Sequence, residues 1–160
     1  MLDRLLPDYL KAVTAISYGG TSRSSIIAST TGSRIYRCRA PQGATYPYIV
    51  VGEGQDIEVG QTADRNILRE LGTYSVIIAG NPAFGFSALD QLVDDVTDCL
   101  REFRNAFIPS PSSPYKMWVQ CFIVKDRIQF EGKALDGDQK PMIGYIIPIR
   151  SGYDRPVGTP

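Results

Sequence analysis

The stretch Phe86–Phe103, FSALDQLVDDVTDCLREF, is the pivot of the chain. Leu89, Leu92, Val93, Val96, Cys99, Leu100 and Phe103 recur at three- and four-residue intervals, and Phe107 extends the series. That period puts them on one side of an α-helix, and an apolar stripe of this kind needs a core to cover it. Ser87 followed by Asp90 reads as a variant of the capping box at the helix start. Asp94, Asp95, Asp98, Arg101, Glu102 and Arg104 read as its solvated face. The Pro/Ser run from Pro109 to Pro114 ends the helix and leads to a new strand.

Upstream, Asn66–Ala79 reads as a long strand with Tyr74, Val76 and Ile78 on one face and Gly72 as a candidate bulge. Gly80-Asn81-Pro82 stops it. Tyr46–Val51 is a strand of aromatic and β-branched residues with Pro47 at its start. A turn, Ala40–Thr45, links it to a strand at Arg34–Arg39, with Tyr36 and Cys38 on one face and Arg37 and Arg39 on the other. Gly52–Ala63 is glycine-rich and acidic, through Glu53, Asp56 and Glu58. It reads as a mobile loop with at most a short strand at Ile57–Val59. At the start, Leu2, Leu5, Leu6, Tyr9, Leu10, Val13 and Ile16 have helical spacing, capped at Asp3 with Pro7 tolerated only in the first turn, or starting at Asp8 after the proline. Ser22–Thr31 is Ser/Thr-rich, with room for one helical turn around Ile26 and Ile27.

Downstream, Tyr115–Val124, Arg127–Leu135 and Pro141–Arg150 read as strands, the last two joined through Asp136-Gly137-Asp138 as a hairpin. The order is a helix, three strands, a helix and three strands. It predicts an α+β fold, a largely antiparallel sheet with the N-terminal helix and the long helix packed on one face. Residues 1–150 form one domain and 151–160 a polar tail.

Composition narrows the function. The chain has 160 residues, 17 Lys plus Arg and 17 Asp plus Glu, so its formal net charge is zero. A dedicated nucleic-acid binder needs a basic excess to neutralise phosphates. There is no histidine, which removes Ser-His and Cys-His nucleophile pairs and the commonest metal ligand. Cys38, Cys99 and Cys121 are odd in number and lack a C-x-x-C pair, so they read as reduced, buried thiols. Gly19-Gly-Thr-Ser-Arg-Ser-Ser lacks the ending of a phosphate loop, and the acids at 53–58 lack calcium-loop spacing. No catalytic residue, metal site or cofactor is expected. No apolar run approaches the roughly 18 residues of a membrane span, and the acidic, amphipathic N-terminus does not read as a signal peptide.

Arg34-Ile35-Tyr36, then Ala40-Pro-Gln-Gly-Ala44 leading to Pro47-Tyr-Ile-Val-Val51, then the stripe from Ala88-Leu89, together resemble the phage tail-completion or tail-terminator family. The likeness covers residues 1–108; the C-terminal strands match in pattern. The stretch Ser22–Gly32 and the extension after Arg150 depart from the family's usual form. The resemblance implies a virion structural protein without catalysis, made in the host cytoplasm and placed at the head-proximal end of the tail. Its subunits form a homo-oligomeric ring, typically a hexamer. That ring caps the tail tube, ends tube growth and joins the head-tail connector or stopper protein. DNA passes through the ring without sequence-specific binding. The alternatives are a neck or head-tail connector protein and, further off, a nucleic-acid-binding module.

Two sets of residues are candidates for contacts. Arg34, Arg37 and Arg39 could line a ring lumen or pair with a neighbouring subunit, because a ring multiplies each arginine by its copy number. Trp118 and Met117 lie on opposite faces of a strand that is apolar on both sides and so needs cover on both. With the loop acids Glu53, Asp56 and Glu58 they form the candidate subunit or partner interface.

Overall fold

The computed structural model of the chain describes residues 2–52, 54–61, 67–103, 106–109, 116–123, 126–133 and 140–156. The fold is α+β. Helix α1 (Leu2–Ala12) is followed by a ribbon of two short strands, β1 (Ala15–Ile16) and β2 (Arg23–Ser24), and by helix α2 (Ile27–Thr31). Strands β3 (Ile35–Arg37), β4 (Tyr48–Val51), β5 (Gln55–Gln61) and β6 (Ile67–Gly80) precede a 3-10 turn at Pro82–Phe84 and helix α3 (Ser87–Glu102). Strands β7 (Ala106–Pro109), β8 (Lys116–Ile123), β9 (Ile128–Lys133) and β10 (Pro141–Pro156) complete the chain.

Eight strands form one sheet in the order β3-β4-β6-β10-β8-β7, with β5 also on β6 and β9 also on β10. Its spine is the antiparallel pair β6 and β10, in register from Gly80 opposite Ile143 to Ile67 opposite Pro156. Each spine strand takes two neighbours in succession along one edge. β6 pairs first with β5 and then with β4, and β10 pairs first with β9 and then with β8. Only β3 and β4 run parallel among the described pairs.

The spine is closely fitted. A Cβ at Gly144 would lie 2.1 Å from the Ile78 carbonyl oxygen and 2.9 Å from the Phe130 ring, so no side chain fits there. At Gly80, where β6 gives way to the turn into α3, a Cβ would meet the Leu89 side chain at 2.7 Å.

The core lies between the helices and one face of the sheet. Leu89, Leu92, Val93, Val96, Cys99, Leu100 and Phe103 are buried against Ile35, Ile49, Val51, Tyr74, Val76, Ile78, Ile143, Tyr145, Ile147 and Ile149. Leu6 and Leu10 close it from α1, and the Tyr9 and Phe103 rings meet at 4.6 Å between centroids.

Several expectations are corrected. α1 stops at Ala12, and Ile16 reaches the core from β1. α1 starts early enough for Pro7 to lie inside it, beyond its first turn. α3 has Phe86 at its N-cap and no side-chain cap, so the Ser87 capping box does not form; Asp90 instead accepts the Tyr145 hydroxyl at 2.9 Å. Phe107 belongs to β7, not to the helix. The acidic segment after Gly52 is strand β5 over Gln55–Gln61, and the register shift lies between Glu58 and Gly60 rather than at Gly72. The polar stretch from Ser151 continues β10 to Pro156, because partners on both sides accept its backbone. The 136–138 turn lies outside the described residues, although β9 and β10 do pair antiparallel.

Candidate interaction surfaces

The polar side of α3 is solvated at Asp94 and Arg101 but covered at Asp95 and partly at Asp98 and Glu102. The Asp95 side chain is 1% exposed and accepts the Ile26 N–H at 2.8 Å and the Arg23 guanidinium. Asp98 takes the other arm of Arg23 at 2.9 Å and Arg101 at 3.3 Å, and Glu102 accepts the Ser17 N–H. Three acids spaced three and four residues apart thus fix the Ser/Thr-rich segment onto the helix. That segment brings Ile16 and Ile27 fully into the core. Position 95 borders the apolar stripe beside Val96 and Leu92. This was the signal that it would be buried, and the lone Arg23 in a polar segment was the signal of its partner.

The groove along α3, about 970 Å³, is lined by Arg23, Asp90, Asp94, Asp98, Asp126 and Arg127 among others. Its arginines are matched by acids, Arg127 with Asp94 and Arg101 with Asp98. No group of residues able to hold a metal ion occurs among the described residues. Cys99 lies beneath, fully buried. Burial, aided by the negative charge of Glu102 and Asp95, pushes its thiol up to about 12, so it is neither a nucleophile nor a ligand near neutrality. Cys38 departs from the expected burial. It is exposed, with φ at 65°, and ends β3.

The other face of the sheet is apolar too. The Ala40–Tyr46 turn folds back over part of it, so that Tyr48, Val50 and Ala79 are buried beneath Tyr36, Ala40, Ala44 and Tyr46. The Tyr46 and Tyr48 rings stack at 5.4 Å and Tyr36 meets Tyr48 edge-on at 6.1 Å. The peptide bond before Pro47 is cis. Beyond the turn, Ile77, Ile146 and Ile128 stand opposite one another on β6, β10 and β9. Ile77 and Ile146 are half-buried, and Ile128 is 40% exposed.

The residues singled out from the sequence divide. Arg34 donates to the Pro47 carbonyl at 3.0 Å and the Thr30 carbonyl at 2.9 Å, so it braces its own subunit. Arg37 and Arg39 are exposed around Cys38. In β5, Asp56 and Glu58 stand opposite Gly72 and Glu70, while Glu53 lies outside the described residues. In β8, Met117 stands opposite Ile108, and Trp118 opposite Phe107 and Asp154. The side chains at 56, 58, 117 and 118 lie outside the description.

A second groove, about 660 Å³, opens where the turn, the 3-10 segment and the start of α3 meet. Ala44, Tyr46, Pro47, Phe84, Leu89 and Lys140 are among its walls. Phe84 is 72% exposed. Sequence reading passed over it because a lone Phe in a Gly/Pro turn carries no period.

No protein-family model matches the chain, and no curated protein matches it. Among solved structures, a chain from the virion of a native gene transfer agent (GTA) particle shares its fold. The two superpose with a TM-score of 0.54 at 15% sequence identity, over 80% of this chain and 84% of that one.

Proposed function

We propose that the chain is a structural protein of a phage-like virion, and within it a tail terminator. In this role copies of the chain close into a ring on the last ring of the tail tube, end its growth and join the tail to the head connector. The role is architectural, with no catalysis. Three lines support the reading: the residue pattern of the tail-terminator family in residues 1–108, the fold shared with a virion chain, and the sheet's second apolar face.

The last observation carries it. The helices cover one face of the spine, and the Ala40–Tyr46 turn covers part of the other. Among the described residues the row Ile77-Ile146-Ile128 is only partly covered: Ile77 packs against Tyr48, Val50 and Ala79, and Ile128 is 40% exposed, the surface a neighbour would take. Apolar surface of this kind in a soluble subunit marks association, and a durable contact buries at least about 1,000 Å². Arg37 and Arg39 are the exposed basic residues such a ring would multiply.

The test is solution mass together with negative-stain images of the protein, alone and mixed with tail-tube protein. Closed rings that cap tube ends are expected. A persistent monomer with hydrolase activity, or a salt-sensitive gel shift with DNA in the absence of rings, would replace the reading.

A further inference from the structure

We infer that the groove between the Ala40–Pro47 turn and Phe84 receives the acidic strand β5 of a second copy of this chain. This deepens the ring reading and rests on it.

The groove has an apolar wall and a positive surround. Ala44, Tyr46, Pro47, Phe84 and Leu89 supply the apolar surface, and no acid is among the described residues that line it. Positive charge comes from two residues. Arg34 stands behind Thr30 and Pro47, two of the lining residues, and both of its hydrogen-bond partners there are neutral carbonyls. Lys140 is on the wall.

The complementary charge is on the same chain. From Ala40 to Asp64 there is no Lys or Arg, and there are four acids: Glu53, Asp56, Glu58 and Asp64. Within that stretch β5 is an extended segment with Ile57 and Val59 between and beside its acids, paired with β6 and with no other described strand. β5 lies against the first half of β6, whereas the groove lies at its last residue, Gly80. At the rise of a strand the two are roughly 30 Å apart, too far to meet within one subunit. Two different patches that fit each other make a heterologous contact, the kind that closes rings.

The experiment reads the sign of the occupant. Phe84 is 72% exposed, so its variants should fold, which thermal melts would check. Phe84→Asp and Phe84→Lys both lose the ring contact, but Asp also repels an acidic strand. Association measured by analytical ultracentrifugation should fall about tenfold further in Phe84→Asp than in Phe84→Lys. Adding Asp56→Lys and Glu58→Lys to the Phe84→Asp chain should restore it. Equal loss in the two Phe84 variants overturns the acidic occupant, and a sign effect without rescue overturns β5. Rings unchanged by Phe84→Asp overturn the contact and leave the ring reading standing. A wild-type chain that stays monomeric overturns both.

Discussion

At the scale of single residues, Asp95 is the side chain on which most depends. It satisfies a backbone N–H and half of a guanidinium from inside the core margin. Removing it leaves both donors wanting, whereas Asp98 is partly open to water and shares its load with Asp95. Asp95→Ala should therefore cost about 2–4 kcal/mol in urea unfolding, and Asp98→Ala about 1 kcal/mol or less. Equal losses would mean that the segment is held by Ile16 and Ile27 instead. Tyr9 and Cys99 set an alkaline limit. Burial pushes Tyr9 from 10.0 to about 12 and Cys99 from 9.0 to about 12. Both are neutral when protonated, and the folded state holds the proton more tightly. Their contribution is full below about pH 9 and is lost as pH rises towards 12. Each group ionised only in the unfolded chain steepens the loss by about 1.4 kcal/mol per pH unit. Urea midpoints that stay level between pH 8 and 10.5 would contradict this.

At the scale of elements, the spine strands govern. β10 from Ser151 to Pro156 pairs with β6 on one side and, as far as Asp154, with β8 on the other. Truncation after Arg150 strips backbone partners from both, so a lower melting temperature and weaker hydrogen-exchange protection in 67–72 and 118–121 are expected. An unchanged melt would show that this half of the sheet adds nothing to stability. Gly144→Val sets side-chain carbon against the Ile78 carbonyl and the Phe130 ring, and should cost at least about 1–3 kcal/mol through overpacking. These elements also show what the sequence made legible. The period of α3 and the alternation at Tyr74, Val76 and Ile78 state the core directly, because burial on one side imposes a period. The segments misread share a different physics. Gln55–Gln61, paired with the next strand, and Ser151–Pro156, paired with distant ones, are strands through backbone pairing, which leaves little side-chain period to read. Asp95 and Arg23 are 72 positions apart in the chain, and neither is apolar, so hydrophobic patterning is silent about their meeting. The candidate contacts were chosen as residue types alone. The groove beside Phe84 was not, because four separate segments build it.

At the scale of the whole molecule, charge is balanced in number but separated in place. From Tyr9 to Gly52 there are five Lys and Arg and no acid, while α3 carries five acids against Arg101. Part of this imbalance is settled inside the subunit, where Arg23 answers Asp95 and Asp98. Charges at a subunit contact would act across it, so assembly should depend on ionic strength. Dependence on pH is another matter. The chain has no histidine, and no other side-chain type has an ordinary pKa between about 5 and 8. The upward shifts at Tyr9 and Cys99 move those groups further from that window. The terminal amine, near 7.7–8.0 in its ordinary state, is a single charge. The oligomer should therefore keep the same mass from about pH 6 to 8 at fixed salt, yet dissociate progressively as salt rises through the range where the Debye length falls from about 10 Å to about 3 Å. Light scattering over a grid of pH and salt separates the two axes. Loss of mass along the pH axis with a midpoint inside the window would require a strongly displaced carboxylate or thiol at the contact. Indifference to salt would make the contact apolar alone, and would favour the Ile77-Ile146-Ile128 row over the groove beside Phe84 as the seat of assembly.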